Sequence, residues 1–82
     1  MATNEQLSQR IIDLVRFHEG IKAVDLTVKL ATEFLDVNSV EILEAIMALV
    51  IRGDIIELQY TLPHMQYRVK SIYFPKGTEF IS

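Results

Sequence analysis

The sequence predicts one α+β domain in which three helices precede a C-terminal β-hairpin, and three observations support that fold class. Apolar residues recur at helical spacing up to about residue 52. After Gly53 they alternate with polar residues, as in a half-buried strand. A chain of 82 residues without cysteine has room for one small core and can form neither disulfides nor thiolate metal sites.

The first helix is predicted over residues 4–19. Thr3 and Gln6 have the spacing of a capping box, in which each side chain bonds the backbone N–H of the other residue. An apolar stripe follows, and Gly20 is the kind of residue that commonly ends a helix. Residues 21–24 are long enough only for a connector or a brief strand.

The second helix is predicted over residues 25–35, where the helical period returns. Its apolar residues form two stripes rather than one, so we expect this helix to contact its neighbours on two faces. One stripe is Leu26, Leu30 and Phe34, and the other is Val28, Ala31 and Leu35.

The third helix is predicted over residues 39–52. Asn38 and Glu41 again have capping-box spacing, and Gly53 ends the apolar period. We expect one stripe of this helix to face the core. It consists of Ile42, Ala45, Ile46 and Leu49.

A hairpin is predicted from two strands over residues 54–62 and 65–74, because the apolar period there is two. Pro63 cannot adopt a positive φ, so we expect a connecting loop longer than a tight two-residue turn. We expect Tyr60 and Tyr67 to point into the core, together with Ile56, Leu58 and Leu62.

The order and spacing of these elements resemble the winged helix-turn-helix family over roughly residues 4–74. The matching residues are Leu30-Ala31, Val37-Asn38, Ile42, Ala45-Ile46, Leu49, Gly53 and Ile55. The resemblance implies a three-helix winged helix-turn-helix with a C-terminal β-hairpin wing. It also implies that Ala31 lets helices two and three approach and that Ile55 starts the wing strand against the core. It departs from the family pattern in the turn before Val37, which has about one residue more than usual and lacks a glycine.

The resemblance also implies that helix three enters the major groove of DNA and that the wing contacts the backbone. DNA-reading members tend to carry basic or amide side chains at the positions of this helix that the core leaves free. Here those positions between Ser39 and Arg52 are apolar or acidic, with the one arginine at the far end, and acidic residues repel phosphate. The sequence therefore favours a protein-binding surface on helix three. Its candidate residues are Val40, Glu41, Leu43, Glu44, Met47 and Ile51.

The first hypothesis is an interaction module that acts through protein contacts, as a homodimer or as an adaptor in a regulatory or nucleic-acid-handling assembly. Two alternatives remain: a structural subunit of a larger complex, and a DNA-binding transcriptional regulator. For the regulator, the resemblance and a mildly basic wing suggest five contact residues. These are Lys29, Ser39, His64, Arg68 and Lys70.

Several classes of function lack support in the sequence. The three glycines are isolated, so there is no phosphate-binding loop, and no nucleophile–base arrangement or metal-ligand spacing stands out. The net charge of −3 argues against strong general affinity for nucleic acid. The start lacks signal-peptide features, and the longest apolar run, residues 45–51, is too short for a membrane span. We therefore expect a cytoplasmic protein that is not an enzyme, with no cofactor, no membrane or small-molecule partner, and weak or no nucleic-acid binding.

Overall fold

The computed structural model of the chain describes residues 3–64 and 68–81 and has an α+β architecture with one hydrophobic core. The helices are α1 (Asn4–Phe17), α2 (Ala23–Glu33) and α3 (Ser39–Arg52), and the strands are β1 (Ile21–Lys22), β2 (Ile55–Thr61) and β3 (Val69–Pro75). The predicted fold class is confirmed: three helices precede a C-terminal hairpin in the arrangement of a winged helix. The short strand β1 extends the hairpin to a three-stranded antiparallel sheet of order β1-β3-β2.

All three helices and all three strands surround this core. Side chains from α1, α2 and α3 interdigitate, and the sheet closes the remaining side with one residue from each strand. The buried residues are Leu7, Ile11, Leu14, Val15, Ile21, Leu26, Leu30, Ile42, Ile46, Leu49, Ile55 and Tyr73.

Side-chain caps fix where α1 and α3 begin. At α1, the hydroxyl of Thr3 accepts a hydrogen bond from the backbone N–H of Gln6 (3.1 Å), and the Gln6 side chain accepts one from the Thr3 N–H (2.9 Å). At α3, the Asn38 side chain accepts from the N–H of Glu41 (2.9 Å). These bonds satisfy donors that a helix start otherwise leaves unpaired. Both starts therefore follow from local sequence.

Two of the three helices differ from their predicted bounds, at three helix ends in all. Helix α1 ends at Phe17 rather than at residue 19, because His18 already leaves the helical conformation while its N–H bonds the Leu14 carbonyl. Gly20 (φ 78°) lies in the following turn, where its N–H donates to the carbonyl of Tyr73 (2.9 Å). Helix α2 spans residues 23–33 rather than 25–35, because it starts directly from β1 without a side-chain cap.

The prediction that α2 contacts its neighbours on two faces is wrong. Leu26 and Leu30 are fully buried, whereas Val28, Ala31 and Leu35 are exposed. Ala31 therefore does not lie between α2 and α3, and the small residue packed against the core there is Ala45 of α3. Val28, Ala31 and Leu35 recur at helical spacing although their side chains are exposed.

The register of the sheet reverses the predicted faces of β2. Glu57 pairs with Tyr73, which points into the core, and the next pair, Leu58 with Ile72, points to the opposite face. Ile55 is therefore the core residue of β2, as the family resemblance implied, and Leu58 is exposed. Ile56 and Tyr60 share the outer face with Leu58 and are half-buried. Tyr67 and the start of the predicted second strand, residues 65–67, lie outside the described residues.

A hydrogen bond joins the core side of the two hairpin strands. The hydroxyl of Tyr73 donates to Oε2 of Glu57 at 2.9 Å. Burial of the phenol, helped by this bond and by the negative charge of Glu57, raises the pKa of Tyr73 from 10 to about 12. The neutral phenol is thus the form that the folded core stabilises.

A matched pair of truncations tests whether only one of the two predicted stripes is buried: Leu30 lies on α2, and Leu35 lies in the turn that follows it. Leu30 is 0% exposed and Leu35 is 87% exposed, so the same Leu→Ala change removes core contacts only at residue 30. We expect Leu30→Ala to lower the free energy of unfolding by about 2–5 kcal/mol and Leu35→Ala to change it by no more than about 0.5 kcal/mol. Urea denaturation followed by circular dichroism measures both. Equal losses would contradict the burial of only one of the two predicted stripes.

The raised pKa of Tyr73 predicts a stability change at high pH. The folded state holds the phenol proton more tightly than the unfolded chain, so the contribution of Tyr73 is complete below pH 10 and is lost as the pH rises through about 12. An ultraviolet titration of tyrosinate should show a late phase that Tyr73→Phe removes and Tyr60→Phe retains. Loss of that phase in the Tyr60→Phe variant instead would contradict the assignment.

Candidate functional site

Helix α3 has two apolar faces, and only one of them is used by the core. Ile42, Ile46 and Leu49 are at most 1% exposed. The opposite face also carries large apolar side chains, but α1, α2 and the sheet leave it open. The exposed fractions are 59% for Val40, 50% for Leu43, 46% for Met47 and 80% for Ile51. The outward stripe predicted from the sequence is therefore accessible.

The outward residues of α3 line a shallow groove of about 400 Å³. Spacings of three and four residues place their side chains side by side along nearly the whole helix, over about three turns. The lining residues are Val40, Leu43, Glu44, Met47, Ala48 and Ile51. Ala48 was not among the predicted site residues, although it is adjacent to Met47 and one turn beyond Glu44. Its small side chain leaves space between Glu44 and Ile51.

Acidic groups border this groove, which we call the α3 groove. Glu44 is one of its lining residues, and Glu41 lies one turn before it on the exposed side of the helix. In the part of the chain that the structure describes, the ion pairs are Arg10–Glu33 and Arg52–Asp54, so neither includes Glu41 or Glu44. The α3 groove therefore combines an apolar floor with a negative rim.

The cation of α3 does not offset this negative charge. Arg52 is the last residue of the helix, and its guanidinium lies 2.8 Å from Oδ2 of Asp54, beyond the helix end. The first turn of α3 contains Glu41 and no basic residue. A phosphate backbone approaching the outward face would meet carboxylates and alkyl groups.

The residues proposed for nucleic-acid contact are exposed but belong to different elements. Lys29 is on α2, where its charge helps to lower the pKa of Glu33 after the larger effect of the hydrogen bond from Arg10. Ser39 is the first residue of α3. His64 follows β2, Arg68 precedes β3, and Lys70 lies within β3. These five residues place exposed polar groups on the helices and on the wing, but they do not form a basic stripe along α3.

Other surface depressions have a different character. One of about 690 Å³ lies between α1 and α2. It includes the exposed ring of Phe17 and the side chain of Val28, but it is crossed by the two-bond Arg10–Glu33 ion pair. Phe17 was absent from the predicted site because the helical period places it at the edge of the inward stripe of α1. The Arg10–Glu33 bridge, also unpredicted, joins α1 to α2.

Residues 3–64 and 68–81 contain neither a metal-binding cluster nor a membrane-spanning helix. No cluster of three or more histidine, cysteine or acidic side chains has metal-binding geometry. No helix there is both long enough and apolar enough to cross a lipid bilayer. Comparison of the chain with protein-family models, curated proteins and solved structures finds no match.

The openness of the α3 groove predicts that its residues do not hold the fold together. Met47→Gln and Ile51→Gln keep a good helix former at each position, so we expect each to change the free energy of unfolding by no more than about 0.5 kcal/mol. Leu49→Gln on the buried face of the same helix should cost at least about 2 kcal/mol, because it removes core contacts and buries an amide. Urea denaturation compares the three. A loss at Met47 or Ile51 as large as at Leu49 would place those residues in the core.

Proposed function

We propose that the protein is a winged-helix interaction module that binds another protein through the α3 groove. The observation that carries the proposal is the exposure of four large apolar side chains on the outward face of α3. Single exposed apolar residues are common on protein surfaces, but a contiguous stripe is typical of docking sites. Because these side chains are exposed, we expect substitutions on this face to weaken binding without unfolding the protein.

The chemistry of the α3 groove favours an amphipathic helix as the bound element. An apolar groove along a helix accepts side chains spaced at i, i+3 or i+4, and i+7. The carboxylates of Glu41 and Glu44 favour lysine or arginine beside those anchors, because complementary charge raises association rates and excludes acidic competitors. The proposed partner segment is therefore apolar on one face and basic at its edge.

The regulator alternative requires α3 to read DNA, and the outward face is poorly suited to this. Base edges in the major groove are read by Arg, Lys, Asn or Gln side chains. Asn38 uses its side chain to cap α3, and Arg52 pairs with Asp54 at the far end. Ser39 is the polar residue left at the leading end of the helix. In this proposal the wing cations make at most nonspecific phosphate contacts.

Peptide selection tests the proposed docking function. A library of random helical peptides is selected against the wild-type protein alone, and each enriched peptide is then tested on a variant with both Met47→Gln and Ile51→Gln. We expect enriched peptides with apolar residues at helical spacing and adjacent basic residues, because the α3 groove offers an apolar floor beside two carboxylates. Fluorescence anisotropy then measures the affinity of each enriched peptide for both proteins.

The matched control for this selection is the Val28→Gln variant. Val28 is 59% exposed, like Val40, but it lies on α2 away from the α3 groove. Binding should persist in Val28→Gln and fall at least tenfold in the double variant. Peptides that bind all three proteins equally would contradict docking at the α3 groove.

A DNA titration gives the complementary prediction. The exposed cations of the wing region are Arg68, Lys70 and Lys76, so three phosphate contacts would give a slope of log K against log salt of roughly −2.7. We expect weak binding to a random duplex pool with this shallow slope and no enriched motif. Selection of one motif with nanomolar affinity, lost in Ser39→Ala or Arg68→Ala, would favour the transcriptional regulator.

A further inference from the structure

Strand β2 is a seven-residue edge strand with one side unpaired in the sheet. An exposed edge is a template for another strand, and many proteins obstruct it with proline or lysine. Residues 55–61 contain neither. The one charged residue, Glu57, accepts hydrogen bonds from Tyr73 (2.9 Å) and from the Gln59 amide (3.1 Å), so both of its oxygens are engaged.

Two observations show which backbone groups of β2 face the open edge. The carbonyl of Tyr73 accepts from Gly20, so the backbone of Tyr73 points towards β1 and not towards its β2 partner, Glu57. Ile55 pairs with Pro75, which has no N–H to give. The backbone N–H and C=O groups of Ile55 therefore point away from β3, towards the open edge. Since hydrogen-bonded and non-hydrogen-bonded pairs alternate in an antiparallel ladder, those of Glu57, Gln59 and Thr61 also point towards the open edge.

The sequence of β2 is complementary to itself about its central residue, Leu58. If two copies pair antiparallel with Leu58 opposite Leu58, then Glu57 lies opposite Gln59 and Ile56 lies opposite Tyr60. This register pairs all seven residues and uses only outward-facing backbone groups, giving about eight hydrogen bonds between strands. It sets an amide against the carboxylate on one face and apolar groups against each other on the other face.

Neighbouring registers are less favourable. Centring the pair on Glu57 would set two carboxylates opposite each other, which is destabilising, and would leave two residues of each strand unpaired. Centring it on Gln59 would leave Ile55 and Ile56 unpaired. Charge and length therefore select the Leu58-centred register.

We propose that β2 is a self-association edge, through which two copies of this chain join their sheets into one six-stranded antiparallel sheet. The occupant of the edge is a second copy. This goes beyond the protein-binding function proposed for the α3 groove, because it uses a different surface. Pairing also places Leu58, Ile56 and Tyr60 of both copies on one continuous outer face.

The absence of cysteine makes disulfide trapping a direct test. In the proposed dimer the two Leu58 Cβ atoms form a non-hydrogen-bonded pair about 4.5–5.5 Å apart, close enough for a disulfide after a small adjustment. Two Thr61 residues lie at opposite ends of the paired strands. With oxidised glutathione, we expect Leu58→Cys to form a covalent dimer at least tenfold faster than Thr61→Cys. Equal rates, or no dimer in either variant, would overturn the proposal.

A second measurement uses an unmodified edge and a variant that blocks it. Gln59→Pro removes an outward N–H that β3 does not use, a change that edge strands tolerate, and circular dichroism verifies folding. Sedimentation should show a dimer for the wild type and for Gln59→Thr, and a monomer for Gln59→Pro. A wild-type monomer up to high micromolar concentration would contradict the proposal. A dimer that persists in Gln59→Pro would also contradict it. A dimer that dissociates only in the Met47→Gln, Ile51→Gln double variant would instead place self-association at the α3 groove.

Discussion

Burial of the inward face of α3 is the constraint on which the rest of the structure depends. Ile42, Ile46 and Leu49 occupy the centre of the core, where α1, α2 and the sheet all reach them. Fixing that face fixes the rotation of the helix about its axis. The outward stripe with Met47 and Ile51 then has no place to pack within the chain. The α3 groove is thus a consequence of how the core is filled.

The ends of α3 hold this rotation in place. The side chain of Asn38 bonds the first turn, and Gly53 adopts a left-handed conformation (φ 82°) at the last turn, where its N–H bonds back to the helix. Gly53 turns the chain so that Ile55, two residues later, enters the core. The reversal of faces in β2 follows from this turn: with Ile55 inside, Ile56 and Leu58 must lie outside.

Local signals in the sequence were sufficient for much of the fold and for the outward stripe of α3. Caps at Thr3 and Asn38 act over three residues, and the stripes of α3 need only the helical period. The period of two could not give the faces of the strands, because Ile55 and Ile56 are adjacent apolar residues and either could point inward. The family pattern, which places Ile55 against the core, gave the face that the structure shows. The exposure of Val28 and Leu35 could not be predicted either, since apolar residues at helical spacing give the same pattern whether they are buried or exposed. Contacts such as Arg10–Glu33 join residues distant in sequence and left no local pattern.

The most direct test of docking at the α3 groove is site-specific photo-cross-linking with benzoylphenylalanine at Met47, compared with the same group at Val28. Both positions are on exposed helix surfaces, so nonspecific cross-linking to other proteins should affect them equally. In extracts of the source cells, mass spectrometry should identify one dominant protein adduct from position 47 that Glu44→Lys reduces, and none of comparable yield from position 28. Equal yields of the same mixed adducts at both positions would contradict the assignment of the α3 groove as the binding site.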